Sequence, residues 1–268
     1  MTQASAQASM SVEALSQATV PRTKGLKERY YPECAFGGYS RVDGTMAFYS
    51  RVKAIARPDM VALDVGCGRG AAADRLRERP WEECRVLRNY CQMVVGIDVD
   101  EAGRDNPLID EFRPIQGDRW PIDTGSIDLL VSDAVLEHIP EPEKYFRECS
   151  RVLKPGGFLC LRTPNRWSYA SLAASVIPNR FHARVIGRLQ PGRAEKDVFP
   201  TYYRANTIRS IRGLLNAHHF DGCVYRHIAE PNYLGFARWS YALGVHLHRW
   251  LPSLLWPMLF VFAKRRHN

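Results

Sequence analysis

The sequence predicts an α/β fold, in which crossover helices cover both faces of a doubly wound sheet. Buried strands and helices alternate between residues 60 and 162, which is the pattern of such sheets. A glycine-rich turn, LDVGCGRG at 63–70, follows the first strand, and carboxylates end most of the later strands. Ligands of these sheets bind outside the carboxyl ends of the strands, so we expect the chemistry there.

Each element in the first half of the alternation has its own local signal. Asp43 is placed to cap a helix over 43–56, whose apolar residues recur at helical spacing. The run MVALDVGCG at 60–68 is apolar until its glycines, as in a buried strand. A helix is predicted to open directly after Gly70, and MVVGIDVD at 93–100 is a second buried strand.

The second half continues the same alternation. FRPIQGD at 112–118 is a short extended piece, and IDLLVSDAVL at 127–136 is another buried strand. A helix with Glu and Pro in its first turn follows at 141–153, and Lys-Pro-Gly-Gly at 154–157 is expected to end it. Residues 158–162 then form a further strand.

Carboxylates stand at four of the five places where a predicted strand ends. These places are the turn that begins at Asp64, then Asp98, Asp118 and Asp133, whereas the last strand ends at Thr163. The carboxyl ends of parallel strands meet at one edge of a sheet. The four acids are therefore the first candidates for ligand-binding residues.

The composition limits the classes of partner and compartment. Lys and Arg total 37 against 28 Asp and Glu, a net charge of +9, which favours anionic partners or simply a solvated basic surface. The seven cysteines form no CxxC pair, so we expect reduced thiols in a cytosolic protein and no metal site. Residues 1–22 are predicted to be a disordered lead-in without a secretory signal, ahead of one domain over 23–268.

The glycine turn fits both the dinucleotide pattern G-x-G-x-x-G/A and the pattern G-x-G-x-G. A dinucleotide site has its ribose acid about 20 residues after the glycines, but Asp98 comes about 30 residues after Gly66. The carboxylate of Asp64 would also be poorly placed beside a pyrophosphate, because both groups are negatively charged. A zwitterionic ligand without phosphate suits the turn better, because Asp64 favours an ammonium and the helix N-terminus after Gly70 favours a carboxylate.

Together these segments resemble a known family. VALDVGCGRG at 61–70, VVGIDVD at 94–100 and the run from QGD to TPN at 116–165 are similar to the class I S-adenosylmethionine-dependent methyltransferases. The similarity is greatest to the branch that contains the quinone-biosynthesis methyltransferases. It implies S-adenosylmethionine as the cofactor and a seven-stranded, mostly parallel sheet whose last strand is antiparallel.

The resemblance also implies a role for each residue at the strand ends. The acid and glycines after the first strand would hold the methionyl part, and the acid after the second would bind the ribose hydroxyls. The following positions would contact adenine, and the turn after the fourth strand would lie under the methyl group. The implied cofactor residues are Asp64, Gly66, Cys67, Gly68, Asp98, Val99, Asp118, Arg119, Asp133 and Ala134.

His138 is the candidate general base for a hydroxyl acceptor. Methyl transfer from a sulfonium is a direct displacement, so it needs alignment and exclusion of water rather than a covalent nucleophile. A neutral histidine can take the hydroxyl proton, or His138 can instead pack against the following helix. SDAVLEHI at 132–139 replaces the Asn/Asp-Pro-Pro-Tyr box of family members that methylate amino groups, which favours oxygen or carbon acceptors.

Two segments outside the sheet are predicted to select the acceptor. A cap insertion over 164–205 interleaves apolar residues with arginines, which fits an anionic membrane, a lipid-linked phosphorylated substrate or a cap with solvated arginines. Its Tyr169, Tyr202 and Tyr203 are candidate acceptor residues. Residues 233–255 are rich in Trp and Tyr and form either an interfacial helix or a helix packed on the cap.

The last apolar run, 254–263, contains Pro257 and is far shorter than the about 20 residues of a membrane-spanning helix. MLFVFAKR at 258–265 is therefore expected to be the antiparallel last strand.

The sequence thus predicts an enzyme that methylates a hydroxyl or carbon of a hydrophobic, lipid-linked or glycan small molecule. It is expected in the cytoplasm, and peripheral contact with an anionic membrane stays open. The alternative is a catalytically silent domain that binds the cofactor or a partner. The glycine-to-acid spacing disfavours a nicotinamide oxidoreductase, and the lack of a basic–aromatic motif disfavours nucleic acid.

Overall fold

The computed structural model describes residues 25–169, 171, 200–231, 234 and 237–267. The predicted lead-in over 1–22 lies outside the described residues. The same holds for 172–199 of the cap insertion, which contains most of its arginines, and for 233, 235 and 236 of the segment 233–255.

One seven-stranded sheet forms the centre of the protein, as the sequence predicts. β1, β2, β4 and β7 lie on the apolar runs of the sequence, and β5 contains the predicted strand 158–162. The strands are β1 (Val61–Val65), β2 (Met93–Asp98), β3 (Glu111–Pro114), β4 (Ile127–Asp133), β5 (Leu153–Pro164), β6 (Phe220–His227) and β7 (Met258–Arg265).

The strand order across the sheet is β3-β2-β1-β4-β5-β7-β6. β1 pairs in parallel with both β2 and β4. β2 and β3 therefore extend the sheet on one side of β1, and β4 and β5 extend it on the other. The gap between β1 and β4 is thus the switch point, where such sheets bind ligands. β7 is antiparallel to β5 and β6, which confirms the expectation for the C-terminal run.

Six helices of the described chain surround the sheet. Asp43 caps one of them as predicted, because its Oδ1 accepts from the backbone N of Thr45 at 2.9 Å and of Met46 at 3.0 Å. The helices are α1 (Leu26–Tyr30), α2 (Gly44–Ile55), α3 (Ala71–Leu76), α4 (Pro142–Val152), α5 (Ile208–Ala217) and α6 (Arg238–Trp250).

The core lies on both faces of the sheet. Successive strand residues point to opposite faces, so Leu63 packs with the cluster under α4 and α5, and Ala62 with the cluster under α2. Phe146 and Phe48 are fully buried at the centres of these two layers. A sheet buried on both faces explains the near-continuous apolar strands.

The helix ends at Val152, just ahead of the Lys-Pro-Gly-Gly segment as expected, but β5 already begins at Leu153 and includes that segment. The register of β4 and β5 shifts here: Ile127 lies opposite Leu153, but Leu129 lies opposite Phe158. Gly156 has φ 79°, and a Cβ at Gly157 would lie 2.9 Å from a backbone oxygen. The glycines therefore form a bulge inside the strand.

Two other boundaries differ in smaller ways. β3 ends at Pro114, four residues before the predicted end at Asp118. Leu259, Phe260 and Val261 of β7 are fully buried, so the strand part of the final apolar run is core. No helix in the described part of the chain is long and apolar enough to cross a membrane.

We expect Phe146→Ala to lower the free energy of unfolding by about 3–5 kcal/mol, because it leaves a cavity in the core layer under α4. Urea denaturation measures the change. Phe36→Ala is the matched control, since Phe36 is 87% exposed and its loss should change the free energy by no more than about 0.5 kcal/mol. Equal effects of the two substitutions would contradict the packing described.

Candidate functional site

The carboxyl ends of β1, β2 and β4 open into one cavity of about 840 Å³. A volume of this size holds a drug-sized ligand. Three of the ten implied cofactor residues, Val99, Asp118 and Arg119, are not part of its lining. The other seven line it together: Asp64, Gly66, Cys67, Gly68, Asp98, Asp133 and Ala134.

The glycine turn gives a ligand direct access to the backbone. Gly66 has φ 72°, and a Cβ there would lie 2.4 Å from Cγ2 of Val135. Gly68 has φ 52°, and the space where its Cβ would lie is open. The first glycine is required by packing, whereas the second leaves room for a ligand against the peptide.

Asn106 holds this turn in place, a role that the sequence patterns did not reveal. Its buried Nδ2 donates to the carbonyl oxygens of Cys67 at 2.9 Å and Gly68 at 3.2 Å. Its Oδ1 accepts from the backbone N of Leu108 at 2.9 Å. The Asn-Pro pair at 106–107 is a turn signal, but it does not indicate this distant contact.

Asp98 lies where the resemblance implies the ribose acid. Its Oδ2 accepts from the backbone N of Gly68 at 2.8 Å, and its Oδ1 accepts from that of Asp100 at 2.9 Å. A carboxylate has about four acceptor sites, so each oxygen keeps one for a hydroxyl in the cavity. The two backbone bonds also fix the orientation of the carboxylate.

Asp133 is fully engaged by protein groups, although it lines the cavity. Arg162 Nε donates to its Oδ1 at 2.6 Å, and Tyr49 OH donates to its Oδ2 at 3.1 Å. Arg85 lies 3.7 Å from the same Oδ2. Burial opposes ionisation, yet Arg162 and Arg85 hold the pKa of Asp133 below its usual range. The carboxylate therefore supports the cavity floor and has little capacity left for a ligand.

Asp64 differs from Asp133 because its pKa is raised rather than lowered. Within the described chain it has no ion-pair partner of its own, and burial raises its pKa to about 7. The negative charges of Asp133 and Asp98 raise the pKa further, while Arg85 opposes them. A cationic ligand group beside Asp64 would supply the missing counter-charge.

His138 lies on the turn after β4 and is not part of the cavity lining. Its Nδ1 is 2.8 Å from the carbonyl oxygen of Pro200. A carbonyl can only accept, so in the neutral ring Nδ1 carries the hydrogen and Nε2 is the basic nitrogen. Nε2 is 4.0 Å from Oε1 of Glu137, whose pKa is raised by burial.

Two of the three candidate acceptor tyrosines lie at this same turn. The backbone N atoms of Tyr202 and Tyr203 donate to the carbonyl oxygen of Glu137, at 2.8 Å and 3.2 Å. Tyr169, just beyond β5, places its OH 3.1 Å from Nε2 of His248 on α6. Tyr202 and Tyr203 therefore adjoin His138, whereas Tyr169 contacts α6.

Comparison with known proteins identifies the central part of the chain. Residues 63–161 match the family described as a methyltransferase domain. The chain contains a class I S-adenosylmethionine-dependent methyltransferase domain. The cofactor of this family is S-adenosylmethionine, and the residues of the cavity fit it, because Asp64 has no ion-pair partner among the described residues and Gly68 leaves open space.

The relatives of this methyltransferase domain include the branch expected from the sequence. A ubiquinone biosynthesis O-methyltransferase of Xanthomonas oryzae pv. oryzae is 43% identical over 126 residues, which are 47% of this chain and 52% of that protein. A probable S-adenosylmethionine-dependent methyltransferase of Mycolicibacterium smegmatis is 31% identical over 127 residues, 46% and 44% of the two chains. The matches span about half the length of these curated relatives or less.

Solved structures show the same fold over more of the chain. A chain from the complex of the Haloferax volcanii Trm112 methyltransferase activator with a putative methyltransferase aligns with TM-score 0.53 and 14% identity, covering 92% of this chain and 96% of that one. The [4+2]-cyclase SpnF aligns with TM-score 0.52 and 18% identity, covering 83% and 81%. At these identities the likeness shows the fold alone, and one fold hosts several reactions.

The raised pKa of Asp64 predicts a pH-dependent affinity for S-adenosylhomocysteine, the demethylated cofactor. A ligand ammonium beside Asp64 favours the carboxylate, so binding below about pH 7 must release the proton. We expect the affinity to be highest above this pH and to fall, by at most about tenfold per unit, as the pH decreases from about 7.

Isothermal titration calorimetry from about pH 5.5 to 8 measures this dependence. Asp64→Asn is the control, and it should bind more weakly with a flatter profile. A wild-type profile that is flat, or an Asp64→Asn profile with the same slope, would show that another group titrates.

Proposed function

We propose that this protein transfers the methyl group of S-adenosylmethionine to a hydroxyl or carbon of a hydrophobic, lipid-linked or glycan small molecule. The observation that carries the proposal is the joint position of Asp64, Gly68 and Asp98 on one cavity at the switch point. Family membership of residues 63–161 supports it. These intact residues disfavour a catalytically silent domain.

In this proposal, residues at neighbouring strand ends bind different parts of the cofactor. Asp64 faces the ammonium, the backbone from Gly66 to Gly68 holds the methionyl part, and Asp98 binds the ribose hydroxyls. Val99, Asp118 and Arg119 contact the adenine, as the resemblance implies, from outside the lining seen here. Val99 is 65% exposed, and Asp118 is 2.9 Å from Lys144, so adenine binding would change the surroundings of both.

His138 is the proposed general base. When bound, the cofactor supplies an electrophilic methyl group for direct displacement. The Pro200 carbonyl keeps the hydrogen of His138 on Nδ1, so Nε2 is the nitrogen that would take the proton of an acceptor hydroxyl. The buried Glu137 then lies close enough to stabilise the resulting imidazolium.

The acceptor is proposed to bind beside this turn, against Tyr169, Tyr202 and Tyr203. Aromatic rings offer large apolar surfaces with a polar edge, which suits a ring or isoprenoid-like acceptor that carries a hydroxyl. The ubiquinone biosynthesis relative acts as an O-methyltransferase by name, which supports oxygen as the methylated atom.

Calorimetry with S-adenosylhomocysteine and NAD tests the cofactor assignment. We expect wild-type protein to bind S-adenosylhomocysteine and not NAD, and Asp98→Ala to weaken binding about 10- to 100-fold, because a hydrogen bond to a charged group is lost. Asp59→Ala is the matched control, since this exposed acid lies ahead of β1 and pairs with Arg57. NAD binding by the wild type, or unchanged affinity of Asp98→Ala, would refute the assignment.

Turnover with a phenolic acceptor tests His138. We expect His138→Gln to lower kcat about 10²- to 10⁴-fold while the affinity for S-adenosylhomocysteine stays the same, since only proton transfer is removed. His219→Gln, on the surface after α5, is the control and should keep wild-type turnover. If His138→Gln loses cofactor affinity in parallel, the residue has a structural role instead.

A further inference from the structure

Helix α6 exposes a stripe of large apolar side chains. Trp239, Leu243, Leu247 and Trp250 follow one another at spacings of three or four residues, so they share one face of the helix. All four are exposed, with Trp239 at 68% and Trp250 at 88%, and Leu254 continues the stripe just beyond the helix. Contiguous exposed apolar surface of this kind marks an interaction site.

The stripe lies opposite the face of α6 that packs on the described part of the protein. Tyr241, Val245 and His248 are buried on the opposite face. Tyr241 lies against Tyr30 of α1, with ring centroids 6.2 Å apart. The helix thus has one buried face and a second, solvent-exposed apolar face. A surface helix that only packs on a core has polar residues at the exposed positions.

The charged side chains of α6 itself have one sign. The sequence contains no Asp or Glu from residue 231 to residue 268. Arg238 and Arg249 stand exposed at the two ends of α6, with the exposed His246 between them. On the neighbouring α1 the charges of Glu28 and Arg29 cancel, and Lys27 pairs with the buried Glu230.

We propose that α6 lies on an anionic lipid bilayer, with its stripe among the headgroups and upper acyl chains and Arg238 and Arg249 against lipid phosphates. Trp side chains concentrate at membrane interfaces, and amphipathic helices bind there through buried apolar area and attraction to anionic lipid. A protein partner would not require the complete absence of acids. The lipid surface therefore explains the Trp residues and the charge pattern together.

This surface adjoins the proposed acceptor site. His248, on the buried face of α6, contacts Tyr169 OH at 3.1 Å, and Tyr169 follows the end of β5. Trp167, in the same segment, is 47% exposed. Resting on the proposed function, the inference extends it: a docked α6 would place the acceptor side of the cavity close to the bilayer, where a lipid-linked substrate resides.

Vesicle flotation of the whole protein tests the inference without any cofactor or acceptor. The probes are vesicles of phosphatidylcholine alone and of equal parts phosphatidylcholine and phosphatidylglycerol. We expect binding to the anionic vesicles, about tenfold weaker binding by the Arg238→Gln/Arg249→Gln variant, and near-complete loss by Leu243→Gln/Leu247→Gln/Trp250→Gln. Arg209→Gln/Arg212→Gln on α5 removes the same charge and should bind like wild type.

Wild-type binding by the Leu243→Gln/Leu247→Gln/Trp250→Gln variant, or equal loss by the α5 control, overturns the inference. A wild-type dimer in size-exclusion chromatography with light scattering that this variant abolishes, without vesicle binding, assigns the stripe to a second copy and also overturns it. Affinity for S-adenosylhomocysteine, measured separately on every variant, shows that the fold is intact and tests the proposed function independently.

Discussion

The buried ion pair between Asp133 and Arg162 is the interaction on which the cavity depends. It joins the carboxyl ends of β4 and β5, and Tyr49 ties α2 to the same carboxylate. Arg162 also donates to Thr45 of α2 at 3.0 Å. Removing one partner of such a pair costs about 3–5 kcal/mol, because the other charge stays buried without compensation. The pair thus fixes the floor on which the donor and acceptor sides meet.

A second buried network lies at the carboxyl end of β5, on the side proposed for the acceptor. Thr163 donates to Glu137 at 2.9 Å and accepts from Asn206 Nδ2 at 2.6 Å. Asn206 also donates to the carbonyl oxygen of Pro164 at 3.1 Å. The chain that returns from the cap insertion is therefore fastened to β5 and to the turn that carries His138. The proposed cofactor and acceptor sides are held by separate polar networks that share the ends of β4 and β5.

The strand ends could be predicted because their signals are local. Glycines at the first turn, apolar runs and an acid after each run are visible in a short window, and seven implied residues meet in one cavity. Arg85, Tyr49 and Asn106 could not be found in this way. In the sequence Tyr49 is simply one of the apolar positions of a helix. Arg85 lies in a 3₁₀ segment whose apolar residues show no regular spacing. Their roles arise only when distant segments pack together.

The position of β7 has a consequence for the order in which the protein is assembled on the ribosome. In the described chain β6 hydrogen-bonds to no strand other than β7, which fills the place between β5 and β6. The parallel strands β1 to β5 can pair as soon as they are synthesised, but residues 220–227 must wait for residues 258–265. Until then the apolar edge of β5 stays open, which is where an unfinished sheet is most prone to pair with another chain.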